Sequence, residues 1–155
     1  MNGNMIIKNA AELVTCSGFS AKKGKQMADL HIIEDGAVII KEGEIEAVGQ
    51  TGDIEKQFKK SGADHSDFDI IDARGKAVLP GFVDSHTHLV IGGYRAEEFS
   101  WRLRGDSYIE IRQRGGGIVN TVNATRQASA KELLQSGIKR LNSMLSFGVT
   151  TVEGK

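Results

Sequence analysis

Two histidines in the middle of the sequence, His86 and His88, have the residue type and the spacing to bind a metal ion. They stand at the end of an apolar run that predicts a short strand. Side chains two apart in a strand point to the same face, about 6.6 Å apart along the chain, so both imidazoles can reach one ion. Asp84 precedes them on the same face and could orient an imidazole. The tripeptide alone is also compatible with two surface histidines.

The elements that must position these histidines predict a strand–helix–strand unit. A capping box, in which Ser129 and Glu132 satisfy amides at a helix start, predicts a helix after a long glycine- and arginine-rich segment at 92–128. An apolar stripe predicts one buried face on this helix, and residues 149–152 predict a second strand. The pattern is that of a parallel crossover unit. The stripe consists of Leu134, Ile138, Leu141 and Leu145.

The first half of the sequence predicts a small antiparallel β unit with one helix. The β-branched runs at 37–40 and 45–48 flank a glycine-containing turn and predict a hairpin, and residues 53–60 have a helical composition. The character of the sequence changes at Lys76. We therefore expect two domains, a β-rich unit at 1–76 and a metal-binding α/β segment at 77–155.

Composition narrows the class of protein. The 155 residues are 39% apolar and 26% charged, with 20 basic and 20 acidic side chains. This balance disfavours nucleic-acid binding, and no apolar run approaches the roughly 18 residues that span a bilayer. The single cysteine, Cys16, cannot form an internal disulfide. We expect a cytoplasmic protein with neither nucleic-acid nor membrane partners.

Several segments resemble a known family. Residues 80–88 (PGFVDSHTH) resemble the first barrel strand of the amidohydrolase superfamily, whose metal ligands begin with His-x-His. Residues 71–76 (IDARGK) resemble the end of the small β-sandwich-type sheet that precedes this barrel. Three further segments resemble the imidazolonepropionase family: residues 88–99 (HLVIGGYRAEEF), 115–126 (GGGIVNTVNATR) and 148–153 (GVTTVE).

The resemblance implies an α/β fold built on a (β/α)₈ TIM barrel and a hydrolase of histidine degradation. The reaction would open the ring of a small molecule, 4-imidazolone-5-propanoate, to N-formimidoyl-L-glutamate, with one divalent metal, zinc or iron. His86 and His88 match the first two metal ligands of the family, and Arg95 matches an arginine that contacts the substrate. The complete enzyme is expected to be a homo-oligomer.

The length departs from the family pattern, because a (β/α)₈ barrel takes about 250 residues. We therefore expect an incomplete barrel that is inactive by itself. A catalytic zinc site needs about three protein ligands. The remaining ligands and all catalytic residues are accordingly expected beyond Lys155, with none in this chain.

Other interpretations stay open at this point. The chain could belong to another cyclic amide or amidine hydrolase, to a deaminase, or to a non-catalytic metal-binding fragment. His86 and His88 could also close a small metal site with Cys16 or His31. Residues 115–117 could form a hinge or a backbone site for an anion. Tyr108 could line the site or belong to the core.

Overall fold

The computed structural model describes residues 3–155, which divide into two units with the chain boundary between Pro80 and Gly81. The sequence predicts this boundary four residues earlier, at Lys76. The difference arises because the short strand at residues 77–78 pairs with the first strand of the N-terminal unit.

The N-terminal unit is built on one five-stranded sheet. Four strands lie in the order β3-β2-β1-β4, and β5 also pairs with β1. β2 lies antiparallel to β1 and to β3, whereas β4 and β5 run parallel to β1. The strands are β1 (Met5–Val14), β2 (Ile32–Lys41), β3 (Glu44–Gln50), β4 (Asp69–Asp72) and β5 (Ala77–Val78).

The predicted antiparallel unit and β-sandwich-type sheet are therefore corrected to a single mixed sheet. The reason is helix α1 (Thr51–Ser61), which carries the chain from β3 to β4, so that β4 returns in the direction of β1. A turn then separates β4 from β5 along the same edge of β1. Two backbone bonds hold this turn: Ala73 N–H donates to Lys8 O at 2.8 Å, and Ala11 N–H donates to Lys76 O at 3.0 Å.

The predicted hairpin between β2 and β3 and the predicted helix α1 are confirmed. The sheet and α1 bury an apolar cluster because alternate strand residues face the helix. Short 3-10 helices lie at Gly24–Ala28 and His65–Asp67. The cluster contains Ile6, Ala37, Ile39, Ile54 and Phe58.

The second unit contains the predicted crossover. β6 (Phe82–Thr87) and β7 (Val149–Gly154) pair in parallel, and α5 (Ala130–Ser146) connects them. The capping box of α5 is confirmed, since the Ser129 side chain accepts from the Glu132 N–H and the Glu132 carboxylate accepts from the Ser129 N–H. No helix within residues 3–155 has the length and apolarity needed to cross a bilayer.

Three helices occupy the segment between β6 and α5, where the sequence indicated only a glycine- and arginine-rich stretch. They are α2 (Ala96–Leu103), α3 (Tyr108–Gln113) and α4 (Ile118–Gln127). Helix α3 begins with a second capping box, formed by Ser107 and Glu110. This pair has the same spacing as the one before α5, so the start of α3 was readable from the sequence.

The apolar stripe of α5 is only partly buried in the described residues. Its four side chains are 40–63% exposed, from Leu141 at 40% to Leu134 at 63%. The sheet of this unit has only two strands among residues 3–155, and two strands are too narrow to cover this face. The pattern correctly identifies the apolar face of the helix, but within residues 3–155 this face is covered only in part.

We expect the 155-residue chain by itself to self-associate, because exposed apolar faces of this kind bind one another in water. Light scattering should give a mass above 16.8 kDa that rises with concentration. The double variant Leu134→Lys/Leu145→Lys should lower this mass. A matched control, Gln135→Lys/Asn142→Lys, adds the same charge at exposed polar positions of α5 and should leave it unchanged. A wild-type chain that is monomeric at every concentration contradicts the prediction.

Candidate metal and substrate-binding site

The carboxyl end of β6 is bent by an extra residue relative to β7. Asp84 pairs with Val152 and Thr87 pairs with Gly154, so three steps on β6 oppose two on β7. Such a bulge redirects the side chains next to it. Beyond the bulge, Thr87 O accepts from the Lys155 N–H at 2.8 Å, which keeps the two strands paired. His86 lies within the bulge and His88 directly follows the strand.

The structure brings the two histidines together. The ring centroids of His86 and His88 are 5.4 Å apart, with the ring planes at 56°, and both side chains are exposed. Two imidazoles that share one tetrahedral ion at Zn–N distances of about 2.0–2.1 Å have ring centres about 5 Å apart. The separation therefore fits two ligands of one metal, and imidazole suits both zinc and iron.

Asp84 fixes the backbone beneath the histidines. Its Oδ1 accepts from the His86 N–H at 3.0 Å and its Oδ2 accepts from the Thr87 hydroxyl at 2.8 Å. The hydrogen bond from Thr87, together with the one from the His86 backbone, lowers the pKa of the Asp84 carboxyl. The expectation that Asp84 orients an imidazole is thus corrected: its carboxylate stabilises the bulge through backbone and hydroxyl donors.

A complete metal site is not assembled from this part of the chain. Within residues 3–155, no group of three or more His, Cys, Asp or Glu side chains is placed to hold an ion. His86 and His88 are two ligands where a catalytic zinc site has about three plus an open position.

Three hydrogen bonds that the sequence pattern did not predict hold the loop after His88. Arg140 of α5 donates through Nη1 to Leu89 O at 2.8 Å and to Ile91 O at 3.2 Å. Gly92 N–H donates to the Thr125 hydroxyl at 3.0 Å, and a Cβ at position 92 would lie 2.5 Å from a backbone oxygen of α4. Only glycine permits this close approach. The loop is therefore fixed to both α4 and α5.

Arg95 directly precedes α2, and its side chain is 44% exposed. Its Nε lies 3.8 Å from Oε2 of Glu98, a side chain that the sequence analysis did not single out. The other Glu98 oxygen, Oε1, accepts from the Gly117 N–H at 2.7 Å. The Gly117 amide, in the triglycine segment of residues 115–117, is therefore already hydrogen-bonded to a carboxylate of the protein. Tyr108 is 56% exposed, which excludes a place in the core of the described unit.

The remaining histidines and the cysteine have separate surroundings. His31 Nε2 lies 3.1 Å from Asp29 Oδ2, and the His65 ring packs at 4.4 Å from the Phe58 ring. Cys16 is exposed. These contacts agree with structural or solvated roles.

A cavity of about 640 Å³ lies between α5 and the two strands of the second unit. Asp84 and Thr87, which flank His86, contribute to its lining, whereas His86 and His88 do not. Its lining includes Asp84, Thr87, Tyr94, Arg140, Met144 and Phe147.

Comparison with known proteins gives one family match and many similar sequences. Residues 69–152 match the model of the amidohydrolase family. The chain is 56% identical over 153 residues to an imidazolonepropionase of Clostridium tetani and 51% identical over 156 residues to one of Bacteroides fragilis. These matches cover 99% and 100% of the chain but only 35% and 36% of the relatives. The chain thus spans about a third of the length of the curated relatives it matches.

Two solved structures have a similar fold. A triazine hydrolase from Arthobacter aurescens matches with a TM-score of 0.55 at 19% identity, over 97% of this chain and 28% of its own. A guanine deaminase from Bradyrhizobium japonicum matches with a TM-score of 0.54 at 21% identity, over 97% and 29% respectively. At these identities the likeness concerns the fold alone.

Proposed function

Since this chain belongs to the amidohydrolase family, we propose that it forms part of a hydrolase that opens the ring of 4-imidazolone-5-propanoate to N-formimidoyl-L-glutamate. The observation that carries this proposal is the 56% identity over 153 residues to the Clostridium tetani imidazolonepropionase. The matched range covers 99% of the chain and so includes the region of the histidine pair.

The proposal includes a (β/α)₈ barrel whose first strand is β6. Parallel pairing of β6 with β7, through the crossover helix α5, supports this assignment. In such a barrel the carboxyl ends of the strands form the mouth at which the chemistry takes place. His86 and His88 stand at that end of β6, on a backbone that Asp84 fixes.

We assign the binding of one divalent metal, zinc or iron, to His86 and His88. When bound, the metal would supply polarisation of the ring carbonyl and a more acidic water. His86 and His88 would contribute imidazole nitrogens to the metal from the carboxyl end of β6. Further ligands and the proton-transfer group are assigned to residues outside this chain.

We assign Arg95 to the propanoate arm of the substrate. A guanidinium pairs with a carboxylate through two parallel N–H···O bonds, which set the orientation as well as the affinity. Arg95 is partly exposed beside α2, so its charged end is open to a ligand. Binding of this arm would place the ring relative to the strand end.

The test uses a chimera in which residues 1–155 replace the matched 35% of the Clostridium tetani relative. We expect this chimera to hydrolyse 4-imidazolone-5-propanoate and to leave hydantoin, dihydroorotate and guanine unchanged. Turnover of one of these three compounds in place of the first contradicts the proposed substrate. Metal bound without turnover of any of the four supports the non-catalytic alternative.

A cytoplasmic location and a homo-oligomeric complete enzyme belong to the same proposal. Cell fractionation tests the first, and the mass of the chimera by light scattering tests the second.

A further inference from the structure

Three helices of the second unit, α2, α3 and α5, have a glutamate as their third residue. The glutamate of α2 makes different hydrogen bonds from the other two. Glu110 of α3 and Glu132 of α5 turn back to the serine before their own helix and complete capping boxes. Helix α2 has no capping box, because the side chain of the preceding residue, Arg95, lacks an acceptor for the Glu98 N–H. The Glu98 carboxylate instead accepts from the Gly117 N–H, 19 residues later in the chain.

Glu98 is also the buried member of the three. The residue is 6% exposed, whereas Glu110 and Glu132 are exposed. An ionised carboxylate removed from water costs free energy unless hydrogen bonds and an opposite charge compensate it. Gly117 N–H at 2.7 Å supplies the hydrogen bond and Arg95 Nε at 3.8 Å supplies the charge.

The triglycine segment packs closely against the Glu98 carboxylate. A Cβ at Gly116 would lie 3.1 Å from Glu98 Oε1 and 2.8 Å from the side chain of Ile111, which is 1% exposed. Gly116 N–H donates to Ile111 O at 3.0 Å, which closes the end of α3 over the same point. The Glu98 carboxylate therefore joins the start of α2 to the start of α4 through the Gly117 amide.

The same carboxylate is the ionic partner of Arg95. The closest atoms of the pair are Arg95 Nε and Glu98 Oε2, and the 3.8 Å between them is an ion-pair contact longer than a hydrogen bond. The two Nη atoms are not part of this closest contact. These atoms point along the fork that receives a carboxylate end-on. A partner fixed on the Nε side reduces the number of orientations that the arginine must give up when it binds a ligand.

We propose that Glu98 is a positioning residue, which accepts the Gly117 amide with one oxygen and pairs with Arg95 Nε through the other, and so holds the Arg95 Nη atoms ready for a substrate carboxylate. This inference rests on the proposed function, in which Arg95 binds the propanoate arm. It predicts that Glu98 acts on substrate affinity through Arg95 and has no separate part in turnover.

The test compares variants in the chimera. Glu98→Gln keeps an oxygen for the Gly117 N–H but removes the charge. Glu98→Ala removes both the hydrogen bond from Gly117 and the ion pair with Arg95. We expect Glu98→Gln to raise KM about tenfold with kcat within about twofold of wild type. Glu97→Gln, an exposed neighbour with the same change of charge, should leave both unchanged. Hydrogen exchange of the peptide that spans 115–117 should be faster in Glu98→Ala than in Glu98→Gln.

A double-mutant cycle separates positioning from a merely structural role. In an Arg95→Met background, Glu98→Gln should change KM by less than about twofold, because its effect passes through the arginine. If Arg95→Met raises KM but Glu98→Gln alone does not, or if Glu98→Gln acts equally in both backgrounds, the positioning role is overturned and the proposed function stands. If Arg95→Met leaves KM unchanged, the assignment of Arg95 fails, and the positioning role fails with it.

Discussion

Replacing either His86 or His88 by alanine in the chimera is expected to remove the tightly bound metal and nearly all turnover. Each imidazole would be one of about three protein ligands, and two ligands do not hold a catalytic ion firmly. Loss of the metal removes several kcal/mol of transition-state stabilisation, so kcat/KM should fall on the order of a thousandfold or more. Elemental analysis of the purified variants and steady-state kinetics measure the two effects.

The fold should survive these replacements, because both side chains are exposed and the bulge is held by Asp84 and not by the rings. Circular dichroism and the melting temperature of the variants should match those of the wild type. The control His31→Ala changes an exposed histidine of the N-terminal unit and should retain full metal and activity. Full metal occupancy in both His86→Ala and His88→Ala would exclude the ligand assignment.

Replacing Arg95 by methionine is expected to weaken substrate binding while leaving the metal in place. Methionine keeps a long unbranched side chain but removes the charge. A lost charge-assisted pair is worth about 1.5–3 kcal/mol, which corresponds to roughly a ten- to hundredfold loss in kcat/KM. We expect the loss chiefly in KM, because the propanoate arm does not change its charge during ring opening.

The matched control is Arg102→Met. Arg102 is an exposed arginine in the last turn of α2, the helix that Arg95 precedes, and its replacement should change KM by less than about twofold. Arg95→Lys should retain part of the affinity, since a lysine keeps the charge but cannot form the two parallel bonds. An Arg95→Met variant with unchanged kcat/KM for the propanoate substrate would remove this residue from the site. Equal loss of metal and of affinity would instead indicate a structural role.

Features that depend on short stretches of chain were predictable from the order of the residues. Residue type and spacing define such features because their residues lie close together in the chain. Examples are the hairpin of β2 and β3, the capping boxes of α3 and α5, and the histidine pair. Parallel pairing of β6 with β7 was also predictable, since a strand, an amphipathic helix and a strand leave few alternatives. The similarity of several segments to one enzyme family likewise needed no coordinates.

Contacts between residues that are distant in the chain became visible only in the folded structure. Glu98 meets Gly117 across 19 residues and Arg140 meets Leu89 across 51, and no periodicity in the sequence encodes either pair. The mixed sheet has the same origin, because the direction of β4 depends on how α1 returns the chain. The amphipathic pattern of α5 identified an apolar face, but burial depends on whether another element covers that face. Among the described residues this face is covered only in part. Hydrophobic periodicity identifies the residue types on a face and does not identify what packs against them.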